Sequence, residues 1–195
     1  LSKMVYWCVD NDIDFSKIKH NGLKYNDADL NKKICIPKYD ESVLKEYLRV
    51  RKTRKKTIAF CVGIRHAIRL ERYFKENGIR AISLTGKQFS PTGSEATYIN
   101  RTKRQGIIKD YTDGKYEIIF VRDLFNEGVD VPDADCLMMM RPTYSNTIFT
   151  QQLGRGLRKS PKKKNLLVLD FTGNARRCQL HFEILKEMLG IDVKE

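Results

Sequence analysis

Short, almost unbroken apolar runs alternate with longer amphipathic segments along most of the chain. The apolar runs are TIAFCV (57–62), RAISL (80–84), EIIFV (117–121), DCLMMM (135–140) and LLVLD (166–170). Runs of this length without strict polar alternation are typical of strands buried on both faces. The pattern therefore predicts an α/β fold, a mostly parallel sheet with helices on both faces.

Three amphipathic segments between these runs predict the covering helices. They are RHAIRLERYFKEN (65–77), a segment that ends near Tyr111, and NTIFTQQLGRGLR (146–158). In the first, Ala67, Leu70 and Phe74 recur at helical spacing and Gly78 follows as a stop signal. One face of that helix is predicted to pack on the sheet.

The first quarter of the chain does not follow this alternation. MVYWCVD predicts one strand and ESVLKEYL a short helix, with turn-rich sequence between them. We therefore expect residues 1–55 to be a lead-in or linker segment and residues 56–195 to form the main domain.

Composition restricts the class of protein. Hydrophobic residues make up 41% of the 195, and no run approaches the length of a membrane helix, so no membrane partner is expected. The five cysteines form no Cys-x-x-Cys pair, which predicts neither a metal site nor a disulfide framework and favours a cytoplasmic location. The N-terminus lacks an initiator Met and a signal-peptide pattern, which indicates a fragment of a longer chain.

The net charge of +13 is concentrated in two runs. RVRKTRKK (49–56) has six cations in eight residues and RGLRKSPKKK (155–164) has six in ten. Such clustering favours a polyanionic partner. The alternative is that the runs are a solvated linker and a solvated turn.

The stretch DLFNEGVDVPDAD (123–135) joins two predicted strands. Gly128 allows a backbone conformation closed to other residues, and Pro132 stiffens the exit. Glu127 and Asp130 would then lie at the carboxyl edge of the sheet, where ligands bind in open α/β folds. The alternative is a plain strand connection with Asp and Pro as turn formers.

A second stretch has the pattern Q-x-x-G-R-x-x-R on a predicted helix, formed by Gln151, Gly154, Arg155 and Arg158. Positions three apart share a helical face, so both guanidiniums could reach one target. Arginine suits phosphate because its planar fork donates in fixed directions and stays charged. The alternative is a pair of surface cations at a helix end.

We expect both stretches at the carboxyl edge of the sheet, and together they resemble motifs V and VI of superfamily 2 helicases and translocases. TIAFCVGIRHA and ISLTG are similar to motif IV and the segment after it, and Arg104 occupies the basic position of the helix before YTDGKYEIIFV. The resemblance runs from about Thr57 to Gly173. Within the superfamily the chain looks nearest to bacterial DEAD/DEAH-box motors related to restriction-enzyme motor subunits, to which RPTYSNT and LDFTGNARR also conform.

The resemblance implies the second RecA-like domain of a motor, with ATP in the cleft between two such domains. The chain contains no G-x-x-x-x-G-K-[ST] phosphate loop and no D-E-x-[DH] stretch. ATP and Mg²⁺ are therefore expected to be bound mainly by an upstream RecA-like domain, from which residues 1–55 would lead in, and this segment alone should be inactive.

The resemblance also assigns roles to residues. Arg155 and Arg158 would reach across the cleft to the β- and γ-phosphates, and Gln151 would position the nucleotide or its attacking water. Gly154 is also expected on the nucleotide side. The residues that would contact the ribose side of the nucleotide, or couple the site to the nucleic acid, are Glu127, Gly128 and Asp130. The residues expected to contact the nucleic-acid backbone are Gly63, Ile64, Arg65, Thr85, Gly86 and Arg122.

Two other functions compete with the motor half. A non-enzymatic basic module of the same fold would use its cations only to hold nucleic acid. A Rossmann-type enzyme should show G-x-G-x-x-G after its first strand, where this chain has V-G-I-R-H-A-I. The subgroup resemblance favours DNA over RNA as the nucleic acid.

Overall fold

The computed structural model describes residues 2–9, 13–20, 25–85, 87–89, 96–98, 100–122, 133–143, 145–161 and 163–174. The helices there are α1 (Asp27–Ile34), α2 (Pro37–Arg51), α3 (Ile64–Glu76), α4 (Arg101–Thr112) and α5 (Asn146–Leu157). The strands are β1 (Met4–Cys8), β2 (Thr57–Phe60), β3 (Ala81–Leu84), β4 (Lys87–Phe89), β5 (Ala96–Tyr98), β6 (Ile118–Val121), β7 (Cys136–Met139) and β8 (Leu166–Asp170). None of the described helices combines the length and apolar character needed to cross a membrane.

Six of these strands form one sheet in the order β1-β8-β7-β2-β6-β3, and every pairing in it is parallel. β4 and β5 form a separate antiparallel pair. The central strands β7, β2 and β6 are buried at every position, as the unbroken apolar runs predicted. The prediction of a mostly parallel sheet is confirmed.

Helices cover both faces of this sheet, because alternate side chains of each strand point to opposite sides. On one face, α1, α2 and α3 share a core with the strands, and the Phe74 ring meets the Phe120 ring edge-on with centroids 5.0 Å apart. On the other face, Phe149 and Leu153 of α5 and Tyr111 of α4 pack over the strands. The predicted three-layer α/β arrangement is confirmed.

Residues before position 56 are part of this fold. β1 pairs in parallel with β8 along its whole length and forms one edge of the sheet. Val43 and Tyr47 of α2 are 0% and 1% exposed in the same core as Phe74. The packed core therefore extends across the predicted boundary at residue 55, because the apolar face of α2 packs against α3 and the sheet. The origin of residues 1–55 in an upstream domain stays a prediction.

Candidate functional site

The carboxyl edge of the sheet gathers the segments that follow β2, β6 and β7. Backbone pairing continues one residue past the strands: Cys61 donates its N–H to the Val121 carbonyl at 2.9 Å, and Met140 donates to the Phe60 carbonyl at 3.1 Å. The residues just after these strands thus start from fixed positions at one edge.

Gly63 and Arg122, both predicted to contact the nucleic-acid backbone, lie close together at this edge. Gly63 is the N-cap of α3 and has extended backbone, with φ −150° and ψ 171°. The Arg122 guanidinium donates from Nη1 to the Val62 carbonyl. A Cβ built on Gly63 would lie 3.5 Å from that Nη1 and 3.2 Å from the Asn31 Oδ1 atom. The sequence did not identify Asn31 as a neighbour of Gly63, because α1 lies outside the recognised motifs.

The other residues predicted at this rim differ in accessibility. Arg65, in the first turn of α3, is exposed, and Ile64 is half-buried. Thr85 is 4% exposed, which favours a packing role for its side chain over an open phosphate contact. Gly86 lies outside the described residues.

His66 follows this rim on α3 but is a core residue. It is fully buried, and its Nδ1 accepts a hydrogen bond from the Val62 N–H at 3.3 Å. Burial, assisted by the nearby Arg69 charge, lowers the pKa of His66 to about 3. The imidazole is therefore neutral near pH 7 and holds the turn after β2.

Arg155 and Arg158 lie toward the other end of the sheet. α5 starts after β7 at the carboxyl edge and runs back toward the start of β8; its twelve residues span about 18 Å. Ser2, just before β1, donates its N–H to the Leu157 carbonyl at 2.8 Å and its hydroxyl to the Arg158 carbonyl at 3.1 Å. The expectation that this stretch also sits at the carboxyl edge fails for these two arginines, because a full-length crossover helix carries its last turn to the amino edge.

The end of α5 is held against the sheet. A Cβ on Gly156 would lie 2.6 and 2.8 Å from the two Leu166 methyl carbons and 3.0 Å from Leu137 Cδ1, so any larger residue would require Leu166 to move. Lys163 is 9% exposed and donates from Nζ to the Gly156 carbonyl at 2.6 Å and the Ala134 carbonyl at 3.1 Å. Burial lowers the pKa of Lys163. A cation buried at a helix C-terminus satisfies carbonyls that the helix itself leaves unpaired.

The residues on and just after α5 that were predicted to face the nucleotide are accessible to solvent. Gln151, Gly154 and Arg158 are exposed and recur at spacings of three and four residues, while Arg155 is half-buried. A Cβ on Gly154 would meet no atom within 4 Å. The helix ends at Leu157, one residue earlier than predicted, and Arg158 is its C-cap with φ −61° and ψ 135°. The Q-x-x-G-R-x-x-R pattern is thus an accessible face on an anchored helix.

Glu127, Gly128 and Asp130 lie outside the described residues, so their nucleotide-side role stays a prediction. Within the described ranges, no group of three or more His, Cys, Asp or Glu side chains could hold a metal ion. The exposed guanidiniums have the charge and donor geometry for the phosphates of ATP, whereas ligands suited to Mg²⁺ are not grouped in that part of the chain.

The basic run 49–56 lies at the amino edge, where three of its six cations reach side-chain partners far along the chain and the other three are exposed. Arg51 Nε donates to Glu117 Oε2 at 2.7 Å, and Arg80 Nε donates to Glu117 Oε1 at 3.1 Å. Hydrogen bonding to Arg51, joined by Arg80, lowers the pKa of Glu117 to about 2. This carboxylate links α2, β3 and β6.

Two more cations of the run serve the same edge. Arg54 Nη1 donates to Asn165 Oδ1 at 2.7 Å, and Lys56 Nζ lies 3.6 Å from Asp133 Oδ2. Arg54 and Lys56 are therefore neither a solvated linker nor an open polyanion site, because their side chains bond to groups of the fold just before β8 and β7. Sequence spacing gave no sign of this, since the partners are distant along the chain.

Comparison with known proteins gives a consistent family match. Residues 40–160 match the family described as helicase conserved C-terminal domain. IRC3 of Saccharomyces cerevisiae, whose name assigns it as an ATP-dependent helicase, is 29% identical over 175 residues, covering 89% of this chain and 24% of that protein. XPB2 of Sulfurisphaera tokodaii, named a DNA 3'-5' translocase, is 37% identical over 76 residues, covering 39% of this chain and 17% of that protein.

A solved structure shares the fold. The crystal structure of the C-terminal part of the Fun30 ATPase domain superposes with a TM-score of 0.56 at 16% identity, covering 78% of this chain and 46% of that one. At this identity the likeness shows the fold alone. The chain spans about a quarter or less of the length of the two curated relatives.

Proposed function

The chain belongs to the helicase conserved C-terminal domain family, and from this premise we propose that it is the C-terminal motor domain of an ATP-dependent superfamily 2 helicase or translocase. In this proposal the chain supplies arginines to ATP hydrolysis and a rim that grips the nucleic-acid backbone. An upstream RecA-like domain of the same protein would supply the phosphate loop and most of the contacts to ATP and Mg²⁺.

The accessible face of α5 carries the proposal. Gly156 allows the last turn to pack closely on the sheet, Lys163 donates to the Gly156 carbonyl of that turn, and the exposed Arg158 follows at its end. A guanidinium on an anchored backbone loses less conformational freedom when it meets a phosphate. Such a side chain suits an arginine finger better than one on a mobile loop.

The chemistry follows from charge development in phosphoryl transfer. As the bond to the γ-phosphoryl group loosens, negative charge grows on its oxygens and on the leaving β-phosphate. Arg158 and Arg155 would stabilise that charge from the side opposite the phosphate loop. Gln151, on the same exposed face, would orient the nucleotide or the attacking water, and the open space over Gly154 leaves room for the approach.

Nucleic acid would bind at the other end of the sheet. The N-terminus of α3 at Gly63, the exposed Arg65 and the adjacent Arg122 offer N–H donors and positive charge to phosphates. The name of XPB2 as a DNA translocase supports DNA as the partner. The same proposal includes a relation to restriction-enzyme motors, which the sequence resemblance supports. It also includes a cytoplasmic location, which the cysteines support because they form no Cys-x-x-Cys pair.

Steady-state ATP hydrolysis by the full-length protein, with and without single-stranded DNA, tests the proposal. Arg158→Ala should lower DNA-stimulated kcat by about 10³-fold, in the range of arginine fingers, without changing the thermal unfolding midpoint. Arg158→Lys should recover only part of the rate because it lacks the planar fork. Arg49→Ala serves as the matched control, since Arg49 is an exposed cation paired with Glu46 at 2.9 Å.

Two results would contradict the proposal in different ways. Unchanged kcat in Arg158→Ala would remove that arginine from the reaction. If the full-length protein binds DNA but shows no ATP hydrolysis under any condition, the non-enzymatic basic module becomes the better description.

A further inference from the structure

Three arginines follow three neighbouring central strands at the carboxyl edge. β7, β2 and β6 are adjacent in the sheet, and they lead respectively to Arg141, Arg65 and Arg122. Adjacent strands lie about 4.8 Å apart, so the row of strand ends from β7 to β6 spans about 10 Å. Arg65 and Arg122 already belong to the predicted rim, whereas Arg141 has no assigned role.

The loop that carries Arg141 is fixed by a buried amide. Asn174 is 0% exposed; its Nδ2 donates to the Arg141 carbonyl at 2.9 Å, and its Oδ1 accepts from the Thr143 N–H at 2.8 Å. Thr143 Oγ1 in turn accepts from the Ser145 N–H at 3.0 Å, and Ser145 caps α5. One side chain therefore clamps the backbone on both sides of position 142.

The Arg141 backbone is also registered to its neighbour strand. Met140, the residue before it, donates its N–H to the carbonyl of Phe60, the last residue of β2. The Arg141 side chain itself is half-buried rather than enclosed in the core. Arg141 thus has a partly accessible guanidinium on a fixed backbone. Because β7 lies beside β2, which leads to Arg65, Arg141 adds one more arginine to the row at this edge.

We propose that Arg141 is a further contact to the nucleic-acid backbone and that Asn174 is the residue that positions it; this inference rests on the proposed function. At the axial rise of about 3.4 Å per phosphate of a duplex strand, a row of about 10 Å covers three to four successive phosphates, so each arginine in the row has a phosphate within reach. The contact would be to phosphate oxygens and therefore independent of base sequence.

Salt-dependent binding of a fluorescent single-stranded DNA oligonucleotide to the full-length protein tests the proposal. Arg141→Gln should reduce the slope of log K against log salt concentration by about 0.7, the value for one phosphate contact on a single strand. It should also lower affinity about threefold to fivefold at low salt, as expected of a partly exposed ion pair. Arg141→Lys keeps the charge and should restore most of the slope.

Asn174→Ala tests the positioning role. It keeps the Arg141 charge but releases the loop, so affinity should fall while the salt slope changes less than in Arg141→Gln. Circular dichroism confirms that the variant is folded, and Asn174→Asp, which keeps the Oδ1 acceptor for Thr143, should lose less affinity than Asn174→Ala. Arg49→Gln, at the opposite edge, should bind as the unaltered protein does.

The outcomes separate the inference from the function on which it rests. An unchanged slope and affinity in Arg141→Gln, alongside a clear loss in Arg65→Gln, would overturn the role of Arg141 and leave the motor assignment in place. Binding by the unaltered protein that does not respond to salt would overturn both.

Discussion

Two glycines in α5, two residues apart, should respond oppositely to the same change. Gly154 is exposed, and a Cβ there meets nothing within 4 Å. Gly156 is buried, and a Cβ there would fall inside van der Waals contact with Leu166 and Leu137. Alanine at each position adds the same methyl group to the same helix, so the pair separates helix propensity from packing.

The magnitudes follow from those distances. Alanine in place of a helical glycine stabilises by about 0.5–1 kcal/mol, because glycine loses more backbone freedom on folding. Gly154→Ala should gain that amount. Gly156→Ala gains the same but forces both methyl groups of Leu166 to move, at 2.6 and 2.8 Å from the new Cβ, inside a core where Leu166 is 0% exposed. Overpacking of this kind costs about 1–3 kcal/mol, so the net change should be a loss of up to about 2.5 kcal/mol, about 1 kcal/mol at the middle of both ranges.

Urea unfolding followed by circular dichroism measures both variants. The midpoint should rise for Gly154→Ala and fall for Gly156→Ala, with the denaturant slope unchanged in each. The double variant Gly156→Ala/Leu166→Ala should lose less than the sum of its single changes, because the shortened side chain makes room for the methyl group.

A functional readout adds a second contrast. In the full-length protein, Gly154→Ala should be stable yet impaired in ATP hydrolysis if a nucleotide approaches over that position. Equal stability of the two alanine variants, or a Gly156→Ala protein more stable than the parent, would refute the packing argument.

Other predictions concern buried charges. Glu117→Gln should lower the free energy of unfolding at pH 7 by about 2 kcal/mol, less than the roughly 3 kcal/mol of the full pKa shift because solvent screens the partly exposed arginines. Because the folded pKa of Glu117 is lowered to about 2 from 4.5, its contribution is complete above about pH 5 and is lost as pH falls toward 2; the variant should show a flatter acid limb in pH-dependent unfolding. Lys163→Met should cost about 1–3 kcal/mol because two buried carbonyls lose their donor, whereas Lys164→Met, at an exposed position, should leave the midpoint unchanged; equal effects would argue against the cap. The His66 ring protons should not shift between pH 5 and 8 in NMR spectra, and a midpoint near 6.5 would contradict its buried, neutral state.

Much of the fold was readable from the sequence because its rules are local. The run IIFV in β6 is apolar at every position, and this pattern is typical of a strand that is covered on both faces. The spacing of Leu70 and Phe74 predicted a helix, and Gly78, which has φ +73° just past the helix end, marked where it stops. The same local rules failed for β1, whose single short run gave no sign that it would pair with β8 at the far end of the chain.

The candidate site was readable only in part. Gln151, Gly154, Arg155 and Arg158 could be identified together as one sequence motif on a predicted helix, but only the structure shows that Arg155 is half-buried while the other three are exposed. Gly156 carried no such signal, although its contact with Leu166 decides how close α5 lies to the sheet.

The sequence by itself determined which residues form strands, which helix carries the paired arginines and which family these features resemble, since periodicity and residue type act over a few positions. Only the tertiary structure decided where those features stand relative to one another. It placed Arg158 and Gly63 toward opposite ends of the sheet and brought three cations of the run 49–56 onto partners far along the chain, as in the contact of Arg51 with Glu117. Such placements depend on contacts between residues far apart in the chain, and no spacing within the sequence encodes a distance across the fold.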